Sequence, residues 1–249
     1  MGQYTRDYVN NSFLSQVRRA SSAPFGPRFA VLVAIALVSL TIAPLVVELR
    51  GLSGNGGTPT TQAQTIAEGR MRPGWSTAAH KRFANRCYVL LTAELLRPGE
   101  APLDPTLESG VRSGCDAGLE DILRSSPGDA LALASLALVR AQNADARGAL
   151  DALALSRAAA PDELWIALRR VKLAEPMLSI LSPADAQGHL NDMLILAQSR
   201  RGVRQLAARY LTDLEFRDRI VTLVETLPAA EQIRFLQNVR NAARAADLL

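Results

Sequence analysis

Nineteen consecutive residues, Phe29 to Val47 (FAVLVAIALVSLTIAPLVV), carry no charge, and charged residues close the run: Arg28 before it, Glu48 and Arg50 after it. As a helix rising ~1.5 Å per residue, such a run matches a hydrocarbon core of ~30 Å. It predicts a transmembrane helix over 29–47 and puts everything else on one side or the other. The chain then divides into a tail (1–28), the span (29–47), a linker (48–75) and a C-terminal domain (76–249).

The flanks give the span a direction. Arg6, Arg18, Arg19 and Arg28 precede it with one acid, Asp7, whereas Glu48 to Glu68 holds one arginine and two glutamates. Arginine bias on the N-terminal side predicts a cytoplasmic N-terminus and an external C-terminal domain. A cleaved secretory signal fits less well, because the basic region is long, the apolar core exceeds 7 to 15 residues and no A-x-A follows. A retained signal anchor is the favoured expectation, and either reading exports the domain. The bias to arginine over lysine, 26 to 2, and to alanine is that of a GC-rich bacterial genome, so the expected location is a bacterial inner membrane with a periplasmic domain.

The two cysteines fit an oxidising compartment. Cys87 and Cys115 fall in two predicted helices separated by RPGEAPLDP, whose prolines and glycine continue neither. Each lies fourteen positions from Ala101, near the middle of that turn, so an antiparallel hairpin brings them to similar heights. They are the disulfide candidate, with two buried thiols as the alternative.

Four of the 28 basic and one of the 24 acidic residues precede Glu48, so the domain is near charge balance and a nucleic-acid partner is not expected. Arginine clusters such as Arg169 and Arg170 read as solvated helix faces, or as an anion-binding groove. GLSGNGGTPTTQAQT (Gly51 to Thr65) reads as a flexible linker. From Trp75 onward apolar residues recur at helical spacing without strand-like alternation, which predicts an all-α domain. Its helices are expected near 77–97, 105–125, 129–142, 145–159, 162–174, 184–199, 201–212, 214–227 and 229–246. Ser182-Pro183-x-Asp185 and Thr212-x-x-Glu215 mark two of their starts.

Pro127 and Pro161 stand 34 residues apart, and between them lie a helix, a polar turn at Asn143 and a second helix. This unit resembles a tetratricopeptide (TPR) repeat. Leu133 takes the place of the family's frequent tryptophan, Leu136 and Ala137 that of its Leu-Gly pair, and Ala149 that of the small residue of the second helix. One period earlier, Cys115 corresponds to Ala149 and Leu119 to Leu153. Arg140 departs from the family's tyrosine, and Pro176 and Pro183 interrupt the following unit. The resemblance covers 83–174 and implies an α-solenoid of antiparallel hairpins with a surface for protein partners.

Residues for chemistry are scarce. The two histidines, His80 and His189, lack metal-ligand spacing, and His189 with Asp185 and Asp192 reads as a surface histidine with acidic neighbours. GLSGNGGTP lacks the lysine of a phosphate loop, and no nucleophile motif is present. No catalytic residue, metal or cofactor is therefore expected. Trp75, Trp165, Arg169 and Arg170 are the partner-binding candidates; the spacing of Leu164, Leu168 and Val171 places Trp165 in the core instead. Ala30-xxx-Ala34 and Ser39-xxx-Ala43 make the span a candidate homodimer interface. The expected function is a membrane-anchored scaffold or adaptor, not an enzyme, for an envelope complex in secretion, maturation or polysaccharide assembly. The alternatives are an envelope enzyme acting on glycan through dispersed carboxylates, and a transmembrane regulator.

Overall fold

The structure, a computed structural model, describes residues 27–53, 58–92 and 104–246. The predicted tail up to residue 26 and most of the RPGEAPLDP turn lie outside the described residues, as do the side chains of Ala30 and Ala43. The chain divides into two compact units, 1–46 and 47–249.

Helix α1 (Pro27–Ser53) contains the whole uncharged run. Every side chain from Val31 to Leu40 is exposed, Leu40 at 70 % and Leu32 at 64 %, so the helix is apolar and uncovered on all its faces over nearly three turns. Among the described residues no helix is long and apolar enough to cross a membrane. Within α1 the side chains so described are 29, 31–40, 42, 45, 46 and 48, whereas the uncharged run of the sequence also takes in 30, 41, 43, 44 and 47.

The expected linker is not an unstructured tether. Helix α1 continues to Ser53, and a second helix, α2 (Pro59–Ala67), buries Ala63 and Ile66. Thr58 caps α2 by accepting from the Thr61 N–H, and Pro59 supplies the first helical residue; this start signal lies inside the stretch read as flexible. Gly110, Gly114 and Gly118 recur every fourth residue along α4 (Pro105–Ser125), the first two forming a seat for α2 and the third making room for Phe83. A Cβ at Gly110 would lie 2.8 Å from that of Ala67, one at Gly114 would strike the Ile66 carbonyl, and one at Gly118 the ring of Phe83. Only glycine lets these backbones approach so closely.

The other helices are α3 (Thr77–Leu91), α5 (Ala130–Gln142), α6 (Ala146–Ala159), α7 (Leu164–Ala174), α8 (Pro183–Gln198), α9 (Gly202–Thr212), α10 (Leu214–Glu225) and α11 (Ala229–Ala245). A 3-10 segment, Glu175–Ile180, follows α7. The described residues contain no strand, and the expected all-α domain is present. From α3 on, each helix packs on the next, and α3 with α5, α5 with α7, α6 with α8, α8 with α10 and α9 with α11 also touch. The predicted start at Ser182 carries a full capping box with Asp185. That at Thr212 shifts by one: Asp213 caps α10, its carboxylate accepting from the Phe216 N–H, the third of the helix's free N–H groups, at 3.0 Å.

Among the described residues two large apolar cores result, with a small cluster of Ala130, Ala134 and Ile166 beside them. The first joins α2 to α6 through residues such as Ile66, Phe83, Tyr88, Val111, Leu119, Leu136 and Leu153. The second joins α7 to α11 through Met193, Leu196, Leu206, Phe216, Ile220 and Phe235. Helix α7 is shared, giving Leu173 and Ala174 to the first and Val171 to the second. The positions resembling TPR residues, Leu133, Leu136, Ala137, Ala149, Cys115, Leu119 and Leu153, are all buried. Buried hydroxyls tie neighbouring hairpins, Ser135 donating to the Ala84 carbonyl at 3.0 Å and Ser156 to that of Ala130 at 2.8 Å. The sulfurs of Cys87 and Cys115 lie at disulfide distance, 2.15 Å, joining α3 to α4 with Cα atoms 5.7 Å apart.

Candidate functional site

Helix α7 aims its residues in three directions. At one residue per ~100°, Trp165 and Arg169 share a face while Arg170 turns away from it. Trp165 is 42 % exposed, not in the core as its apolar neighbours imply, because Ile166, Ala167 and Val171 take the inward positions. Its indole N–H donates to the Glu163 carboxylate at 3.0 Å, which fixes the ring as a ridge on the surface.

A hollow lies on each side of that ridge. The larger, about 450 Å³, is bounded by the N-terminal ends of α3, α5 and α7: Thr77, His80 and Lys81, then Asp129 to Leu131, then Glu163, Trp165 and Ile166. The smaller, about 270 Å³, is lined by Leu164, Leu168 and Leu196 with Arg201, Gly202 and Gln205. Trp165 borders both. The acids of the larger hollow are already engaged: Asp129 accepts from the backbone N–H groups of Leu131 and Ala132, and Glu163 from the indole.

Arg169 extends the ridge toward α3. Its guanidinium lies 4.0 Å from the ring centroid of Tyr88 and 5.5 Å from that of Trp165, and it donates to Asn85 Oδ1 at 2.5 Å. A cation on an aromatic face is held electrostatically by the ring quadrupole. Trp165, Arg169, Tyr88 and Asn85 thus form one patch across α3 and α7, which sequence separations of up to 84 residues hid.

Arg170 is a different case from the solvated arginine expected of it. It is fully buried, with Nε 3.0 Å from both Asp192 oxygens and Nη2 2.6 Å from Oδ1. Nη1 donates to the Ala160 carbonyl at 3.1 Å, and Arg157 reaches the same aspartate at 3.1 Å. This arrangement ties α6, α7 and α8 together and leaves Arg170 no part in surface binding. His189 is also buried, 4 % exposed, and its partner is Glu175 at 2.9 Å, not Asp185 or Asp192. Burial pushes the Glu175 carboxyl upward, but the His189 hydrogen bond and the charges of Arg209 and Arg219 outweigh it and hold the pKa below the ordinary glutamate range.

Trp75 stands apart from this patch. It is 71 % exposed, and its backbone N–H donates to Glu48 Oε2 at 2.9 Å. Glu48 also accepts from the Ser76 N–H at 3.3 Å and from the Ser76 hydroxyl, and that hydroxyl bond is the main reason its pKa is lowered. Among the described residues no three His, Cys, Asp or Glu side chains are grouped to hold a metal. No family model matches the chain, and no curated protein or solved structure does either.

Proposed function

We propose that the protein is a membrane-tethered adaptor whose helical domain takes a segment of a partner protein in the hollows beside Trp165. The observation that carries this reading is the ridge itself: a half-exposed tryptophan, oriented by Glu163, between two concave surfaces and continued by Arg169 over Tyr88. Tryptophan and arginine are prominent in binding energy at protein interfaces, because each contributes large area with few torsions or many donors; the buried Tyr88 ring holds Arg169 from beneath. Each hollow is shared by several helices, the larger by α3, α5 and α7 and the smaller by α7 to α9, as a surface for an extended segment would be.

A TPR-like α-solenoid is part of the proposal. In its favour are the contacts between helices two apart and the burial of the residues that resemble the TPR pattern. The membrane anchor is supported by the 19-residue uncharged run and by an apolar helix uncovered on all faces, which water alone does not stabilise. The arginine-rich N-terminal flank and the cysteine pair at disulfide distance favour an external, periplasmic domain. Tethering raises the domain's effective concentration at a membrane complex.

The test is cross-linked purification of the full-length protein from its native membranes, with and without Trp165→Ala plus Arg169→Ala. The expected result is one envelope protein recovered with the native chain and lost with the double variant, while Arg240→Ala, at an exposed position of α11 that lines neither hollow, retains it. Recovery of the same protein by both chains would reject the Trp165 surface as the binding site.

A further inference from the structure

The segment 69–92 contains no acid, while it carries Arg70, Arg72, Lys81, Arg82 and Arg86. Arg70 is engaged by Glu68, but Arg72, Lys81 and Arg82 are all exposed, as is Trp75 in the same segment; Lys81 lines the larger hollow beside Trp165. What makes this cluster more than a basic surface is the place where it is fastened. Glu48 is the first charged residue after the uncharged run, so in a chain whose run spans a bilayer it marks the boundary of the hydrocarbon. The carboxylate of that same residue holds the Trp75 and Ser76 N–H groups and the hydroxyl of Ser76, the residue that caps α3.

From this we infer that the face around Trp75 docks on the bilayer that α1 crosses, with the Trp75 indole in the headgroup region and Arg72 and Arg82 on anionic phospholipid. The inference rests on the membrane-spanning reading of α1. Its chemistry is that of an interfacial anchor: an indole has an apolar body and one N–H donor, and so is stable where hydrocarbon meets water. Cations beside it gain from the negative surface of an anionic leaflet within a Debye length. Trp165 belongs to a different surface and is expected to stay in water.

The chain has two tryptophans, so each can be read alone. Full-length Trp165→Phe protein, which keeps Trp75, and Trp75→Phe protein, which keeps Trp165, are placed in phosphatidylcholine–phosphatidylglycerol nanodiscs with or without lipids brominated high on the acyl chain; Trp165→Tyr serves if the Phe variant folds poorly. Bromolipid is expected to quench Trp75 emission about twofold, as for an interfacial indole, and to leave Trp165 emission nearly unchanged. Omitting phosphatidylglycerol is expected to weaken the Trp75 quenching. Alkaline carbonate extraction of the same proteins from membranes separates the two ideas. Retention in the membrane with an unquenched Trp75, or with both tryptophans quenched alike, overturns the docking face and leaves the span standing. Release by carbonate overturns the span and the docking face together.

Discussion

The guanidinium of Arg170 and the carboxylate of Asp192 meet in the interior with both side chains inaccessible to water, Nη2 and Oδ1 being 2.6 Å apart. Such a pair is costly to break from one side, because the remaining charge is then buried without a partner. Arg170→Ala is therefore expected to destabilise the domain by about 3–5 kcal/mol in urea unfolding. Arg169→Ala, which removes a cation–π contact over the buried Tyr88 ring and leaves no charge without a partner, is expected to cost less, about 0.5–2 kcal/mol. Equal losses in the two variants would contradict this assignment of roles.

The Cys87–Cys115 pair joins helices whose cysteines are separated by 28 residues in sequence. Oxidised, it restricts the unfolded chain; replacing both residues by serine is expected to lower stability by about 3–4 kcal/mol. Thiol labelling under denaturing conditions checks the redox state, with no free thiol expected in protein exported to an oxidising compartment.

Gly114 faces the Ile66 carbonyl, and an added methyl there has no room. Gly114→Ala is expected to lift α2 from α4 at a cost of about 1–3 kcal/mol, as for other overpacked sites. Hydrogen exchange would show faster amides over 59–67 while α9 and α11 stay protected. Unchanged exchange in α2 would mean that its docking does not depend on the glycine face.

Glu175 titrates below its unfolded value because His189, Arg209 and Arg219 surround it. A group with a lowered native pKa contributes stability that is complete above the unfolded value, ordinarily about 4.3 for glutamate, and lost as pH falls through the native one. Thermal unfolding of the native chain should thus weaken steadily on acidification below about pH 4.3. Glu175→Gln should be less stable at neutral pH and show a shallower acid limb. An acid limb unchanged by the substitution would assign it to other carboxylates.

Helix positions were legible in the sequence because their causes are local. The 3.6-residue recurrence of apolar residues, prolines at 105 and 183, and the Ser182–Asp185 capping box act within a few positions of each other, so α4 to α11 lie close to where periodicity places them. The cysteine pairing was legible for a related reason: equal arms of a hairpin return residues to one height. The α2 start at Thr58-Pro59 was equally local, but the surrounding glycines and threonines masked it.

What the fold alone decided is which way each side chain faces. Neighbouring residues of α7 have the same charge and the same helical propensity, yet Arg169 lies over Tyr88 and Arg170 is sealed against Asp192. Their partners come from helices 84 and 22 residues away, and a buried charge is stable only where the tertiary structure delivers both the counter-charge and the remaining acceptors. Trp165 is exposed for the converse reason. Packing of α7 between two cores leaves room inward for Ile166, Ala167 and Val171 and turns the largest ring outward. Local sequence fixes where helices form, because their hydrogen bonds and caps close within a turn; burial depends on which surfaces of distant helices meet.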